Sequence, residues 1–240
     1  MPRQLRYPLC GVPQHVVQRG HNRQATFFTD FDYHYYLDCL LDAAVRHECA
    51  VHAYVLMGNH VHLLLTPSTP FGIAKVMQSV GRCYVRYLND SQRRSGTLWE
   101  GRYKACPVDS ENYLLACYRY IELNPLRATA IQCLSDYRWS SYPAHALGKR
   151  DLLITDHAQY LALGRTACER QAVYAKLFCK PLEEATLAQV RAAIHQCLVL
   201  GNERFKDQIE LALARKVRPG KAGRPKKEII EPLLNSVPGV

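Results

Sequence analysis

The chain has 240 residues, 48% of them apolar and 10% aromatic, which is enough to bury a core as one domain with an appendage or as two modest domains and excludes an unfolded chain. Lys and Arg (31) outnumber Asp and Glu (21), and the resulting charge of +10 favours a polyanionic partner. There is no apolar run of about 18 residues, no secretory leader core and no CxxC pair among the ten cysteines. The expectation is therefore a cytoplasmic, nucleoid-associated protein without membrane contact, its thiols reduced and its partner a nucleic acid.

In chain order, "QHVVQRG" (14–20) predicts a strand ending at Gly20, followed by the polar turn "HNRQ". A helix is expected from Thr29 or Asp30, because Tyr33, Tyr36, Leu37, Leu40, Leu41 and Ala44 recur at helical spacing. "VHAYVLM" (51–57), the tight turn Gly58-Asn59 and "HVHLLLTP" (60–67) read as a hairpin. A second helix is expected over 72–88, a strand over 101–109 with Pro107 at an edge or an end, and a helix from Ser110, as N-cap, to Leu123. This order predicts an α+β fold, an antiparallel sheet with helices packed on it. The first domain is set at 1–148. A small helical module, a possible DNA-binding accessory, follows over 149–214, and a flexible basic tail over 215–240 holds "RKVRPGKAGRPKK".

His60 and His62 sit two apart on the predicted strand and so share one face, about 6–7 Å apart at Cα, where two imidazoles can converge on one divalent cation. Two ligands hold a metal weakly, so a third is needed. In "YLLACYRYIELNPLRA" (113–128), Tyr120 and Asn124 lie at i and i+4 on one helix face, with the carboxamide oxygen of Asn124 a plausible hard ligand. A phenol has a pKa near 10 and needs help to attack a phosphodiester at neutral pH, which a metal beside it would supply. Tyr118 and Glu122 have the same spacing one face away, and spacing alone leaves both pairs open.

Four segments, "HVVQRGHNRQATFF", "HAYVLMGNHVHLLL", "LWEGRYKA" and "RYIELNPLRA", together resemble the HUH single-tyrosine transposases, and specifically their REP-associated group, over about residues 10–145. The resemblance implies a ferredoxin-like (RRM-like) HUH domain. It also implies His60, His62 and Asn124 as ligands of Mg²⁺ or Mn²⁺, and Tyr120 as the nucleophile that forms a 5′-phosphotyrosine. The implied activity is cutting and transferring single-stranded DNA next to REP-type hairpins. Two positions depart from the family pattern. Gly58 replaces a common proline and is expected to loosen the turn. Glu122 stands where histidine or another polar residue is common and is expected to add negative charge near the site. Asn124 replaces the glutamine of the simpler insertion-sequence enzymes but agrees with the REP-associated group.

Substrate contacts are expected from "RRSGTLWEGRYK", which interleaves Arg93, Arg94, Arg102 and Lys104 with Trp99 and Tyr103, as a single-strand platform would. Arg19 and Arg23 beyond the first strand, Arg127 after the "NP", and Arg224 in the AT-hook-like "KAGRPKK" complete the DNA-binding set. Two other classes fit the same residues: a silent hairpin-binding protein that keeps the fold, and a phosphohydrolase that uses activated water. The sequence does not choose between monomer and homodimer.

Overall fold

A computed structural model describes residues 5–128 and 131–218. Side chains alternate between two faces along β1 (Gln14–Arg19), β2 (Cys49–Met57), β3 (His60–Pro67) and β4 (Lys104–Pro107). The strands pair antiparallel in the order β2-β3-β1-β4. Pro107, which cannot donate to a ladder, closes the edge strand. The chain bends at Gly101, whose φ is +68°, so β4 is shorter than the expected 101–109.

On the first face lie α1 (Asp30–Arg46) and α2 (Gly72–Ser91), whose Tyr36, Leu40, Val76, Val80 and Tyr84 meet Val16, Leu56, Val61, Leu63 and Leu65 of the sheet. Thr29 is the N-cap of α1, and its backbone N–H donates to Asp32 Oδ2 at 2.8 Å. The hairpin turn is held firmly, contrary to the looseness expected of Gly58. The carbonyl of Gly58 accepts from Thr26 N at 2.8 Å, and that of Asn59 accepts from Gly20 N at 2.8 Å.

The second face carries α3 (Leu114–Glu122), the single turn α4 (Asn124–Arg127), α5 (Tyr142–Leu147), α6 (Ala158–Leu161), α7 (Ala167–Leu177) and α8 (Glu184–Gln196). α3 starts later than Ser110: Asp109 Oδ1 accepts from Glu111 N at 3.1 Å in the turn that precedes it, and Tyr113 is the N-cap. Leu114, Cys117 and Ile121 of α3 share one core with Val55 and Leu64 of the sheet and with Tyr160, Tyr174, Val190 and Ala193. The residues after 148 therefore do not form a core of their own; they close the second face.

A third cluster joins Tyr7 and Leu9 to Val199, Ile209 of α9 (Glu203–Leu213) and Val217. The first residues of the expected tail belong to this packed body: Arg215 lies over the Tyr7 ring at 4.7 Å, and Val217 is buried. All ten cysteines are free, and no helix of the described residues is long and apolar enough to cross a membrane.

His52, at a bulge in β2, is buried with its Nδ1 donating to the Thr155 carbonyl and its Nε2 on Thr66 Oγ1, both at 2.8 Å. Burial pushes its pKa from 6.5 down to about 4, so the folded chain takes this proton later than the unfolded chain. The stabilisation from a neutral His52 is complete above about pH 6.5 and is lost as pH falls towards 4. Urea midpoints measured at neutral pH and near pH 4.5 should show the drop, and His52→Gln should make it shallower.

Candidate functional site

The alternation that buries Val16 and Val61 on the first face turns His15, Val17 and Arg19 of β1, and His60, His62 and Leu64 of β3, to the second. α3 crosses above them and ends at Glu122, and Asn124 begins the next turn. Between sheet and helices opens a cleft of about 450 Å³ lined by His60, His62, Tyr120 and Asn124. Arg19, Glu100, Arg102 and Lys104 rim it on the sheet side, and Arg191, Ile194 and His195 of α8 on the other.

Each imidazole has one nitrogen engaged. The amide of Asn59 is oriented by donation from Nδ2 to the Arg23 carbonyl at 2.9 Å, so its Oδ1 accepts from His60 Nδ1 at 2.7 Å and leaves His60 Nε2 with its lone pair. His62 Nδ1 lies 2.9 Å from His15 Nε2. In the tautomer in which His62 Nδ1 donates to His15, its Nε2 is likewise free to ligate. The His60 and His62 rings are 5.1 Å apart.

Burial, aided by Arg19, pushes His60 down to about 4. Burial, then His15, His60, Arg127 and Arg19, hold His62 well below its usual value. Both rings are neutral at physiological pH, the state a metal ligand requires. Asn124 donates from Nδ2 to the carbonyls of Tyr120 at 3.0 Å and Ile121 at 3.1 Å, which leaves its carboxamide oxygen as the end with unused acceptor capacity. Among the described residues no group of three or more His, Cys, Asp or Glu is placed to hold a metal. The candidate donor set is thus two imidazole nitrogens and one amide oxygen, which suits Mn²⁺ or Mg²⁺ completed by substrate oxygens and water.

Tyr120 sits against this set, its ring centroid 5.9 Å from His62 and 5.6 Å from His15. Arg127 is stacked over the Tyr120 ring at 4.3 Å and also donates to the Tyr120 carbonyl. It is half-buried and held at the phenol, not spread on the surface as a free DNA contact would be.

The alternative pair faces away from the cleft. Tyr118 and Glu122 are fully buried, and Glu122 accepts from Ser141 Oγ at 2.6 Å, His145 Nδ1 at 2.7 Å and Tyr174 Oη at 2.7 Å. The charge expected near the metal set is therefore spent inside the core, tying α3 to α5 and α7.

"WEGRYK" separates in the same alternating way. Glu100, Arg102 and Lys104 point to the cleft, whereas Trp99 is only 6% exposed and packs with Tyr36 and Tyr84 on the first face. Trp99 therefore has no face to offer a base, and its expected stacking role is corrected. Tyr103 is half-buried on that first side with the Arg6 guanidinium over its ring at 4.8 Å. The cations and rings interleaved in sequence thus part to opposite faces as the chain bends through Gly101 into β4.

Arg23 is exposed in the turn after β1, and Arg93 and Arg94 lie just past α2; none of the three lines the cleft. Arg224 lies outside the described residues. Sequence reasoning missed His15, Glu100, Arg191 and His195. His15 shares the i, i+2, i+4 register of Val17 and Arg19, and Arg191 and His195 are i, i+4 on α8, but neither spacing says what stands opposite.

Residues 10–124 match the family described as IS200-like transposases. Among solved structures, a REP-associated tyrosine transposase bound to a REP hairpin shares the fold with a TM-score of 0.54 at 16% identity, over 66% of this chain and 96% of that one. A candidate transposase from Deinococcus radiodurans R1 is 21% identical over 50% of this chain and 96% of its own, but its TM-score of 0.35 is too low to carry an argument. Comparison with curated proteins gives no match. The chain is thus similar to the IS200-like transposases over residues 10–124, on the fold seen in a REP-associated tyrosine transposase.

Proposed function

We propose that the protein is a metal-dependent single-stranded DNA endonuclease and strand transferase acting next to REP-type hairpins. The observation that carries this reading is the meeting of His60, His62, Asn124 and Tyr120 in one cleft rimmed by Arg19, Arg102, Lys104 and Arg191. The Tyr120 hydroxyl oxygen attacks the scissile phosphorus, and its proton passes to solvent, which returns one to the departing 3′ oxygen. The bond from phosphorus to the 3′ oxygen breaks, giving a phosphotyrosine on the 5′ side and a free 3′ hydroxyl. Reversal by another 3′ hydroxyl joins strands without an external energy source.

His60, His62 and Asn124 would hold the ion, which when bound neutralises charge on the scissile phosphate. Arg127 keeps the phenol ring in place through its stacking contact. The rim cations anchor the phosphates that flank the scissile one on a single strand laid along the cleft. The hairpin partner is supported by the same fold in a transposase bound to a REP hairpin.

Incubating the chain with labelled hairpin DNA and Mn²⁺ or Mg²⁺ should give a covalent adduct on a denaturing gel, abolished by chelation and restored by the metal. Binding without cleavage across several hairpins would point to a silent hairpin-binding protein. Cleavage without adduct would point to activated water. His15→Leu, which removes the acceptor at His62 Nδ1, should weaken Mn²⁺ binding by about 10- to 100-fold with the fold intact, as titration calorimetry would read.

A further inference from the structure

The outer groove between α1 and α2, on the side of the sheet away from the cleft, has no part in the reaction just described. It is an open channel of about 990 Å³ whose walls include Tyr35, Arg82, Cys83, Arg86 and Tyr87. Tyr35 and Tyr87 lie 4.2 Å apart, and Phe31 joins them at 6.2 and 5.8 Å. Phe31 is 62% exposed, a large ring left in water beside two others.

Lys75, Arg82 and Arg86, at i, i+7 and i+11, return to one stripe of α2 over a rise of about 16 Å. All three are exposed, and among the described residues neither Arg82 nor Arg86 has an ion-pair partner. The one arginine contributed by α1, Arg46, is already paired with Asp42 at 2.6 Å, and Asp90 is the acid in the groove wall.

An exposed ring, Phe31, beside the half-buried rings of Tyr35 and Tyr87 and two guanidinium groups without an ion pair among the described residues matches the chemistry of a nucleic-acid strand, in which flat bases alternate with phosphates. A second copy of this chain, with a net charge of +10, would be repelled from a cationic groove. We propose that the α1–α2 groove is a second binding surface for single-stranded nucleic acid. Phe31, Tyr35 and Tyr87 stack bases, and Arg82 and Arg86 hold the phosphates between them. The surface is independent of the cleft and does not rest on the cleft's reading.

Cys83, exposed in the groove wall, serves as the reporter. The full chain is treated with N-ethylmaleimide in chelator, with and without an oligothymidylate of about 20 nucleotides, and alkylation is resolved peptide by peptide. The expected result is Cys83 labelling slowed at least about five-fold by the oligonucleotide and restored at high salt, with Cys133 and Cys168 unchanged. Arg82→Ala combined with Arg86→Ala should remove that protection and flatten the log–log salt dependence of binding by about 1.4, two phosphates at ~0.7 each. Equal labelling of Cys83 at saturating oligonucleotide would overturn the proposal. Protection that rises with protein concentration and needs no DNA would overturn it too, by showing an interface between two copies.

Discussion

Tyr120→Phe should abolish covalent attachment to hairpin DNA, by about 10³-fold or more, while leaving DNA binding close to wild type. The hydroxyl is the only atom removed, and the ring contact with Arg127 at 4.3 Å survives. Tyr118→Phe is the matched control. Among the described residues the buried Tyr118 hydroxyl has no side-chain hydrogen-bond partner, so its removal should cost little stability. Adduct yield should then be unchanged. An adduct that survives Tyr120→Phe and disappears in Tyr118→Phe would place the chemistry on the wrong side of α3.

The second large effect is on stability. Glu122 is fully buried and accepts three side-chain hydrogen bonds, from Ser141, His145 and Tyr174. Glu122→Ala strands all three donors in the core and leaves a cavity, a change that costs about 3–5 kcal/mol. Urea unfolding should show a correspondingly lower midpoint, with Glu122→Gln intermediate because the amide keeps one acceptor oxygen. Because Glu122 joins α3 to α5 and α7, adduct formation should fall with the folded fraction and no further. A variant that stays as stable as wild type would contradict this account of the buried network.

Much of this was legible in the sequence. The period of two around His60 and His62 placed both on one face, the Gly58-Asn59 turn fixed the hairpin register, and the i, i+4 spacing put Tyr120 and Asn124 together. Local patterns carry such information because they concern one element at a time. What a pattern does not contain is which element lies opposite. Glu122 was expected near the metal set from the family pattern, yet on a helix its offset of two residues from Tyr120 turns the side chain by about 200°. Trp99 and Tyr103 read as a stacking platform, but they pack on the first core while Arg102 and Lys104 go to the cleft. His15, Arg191 and His195 reach the cleft only through the pairing of β1 with β3 and the docking of α8, which are tertiary facts.

The central claim is that this cleft makes a phosphotyrosine at Tyr120. Its most direct test is to digest the protein–DNA adduct with nuclease and protease and map the modified peptide by mass spectrometry. The account predicts a 5′-phosphonucleotide on the Tyr120 peptide, formed only with divalent metal. Cleaved DNA with every tyrosine peptide unmodified, or with the modification on another tyrosine, would contradict it.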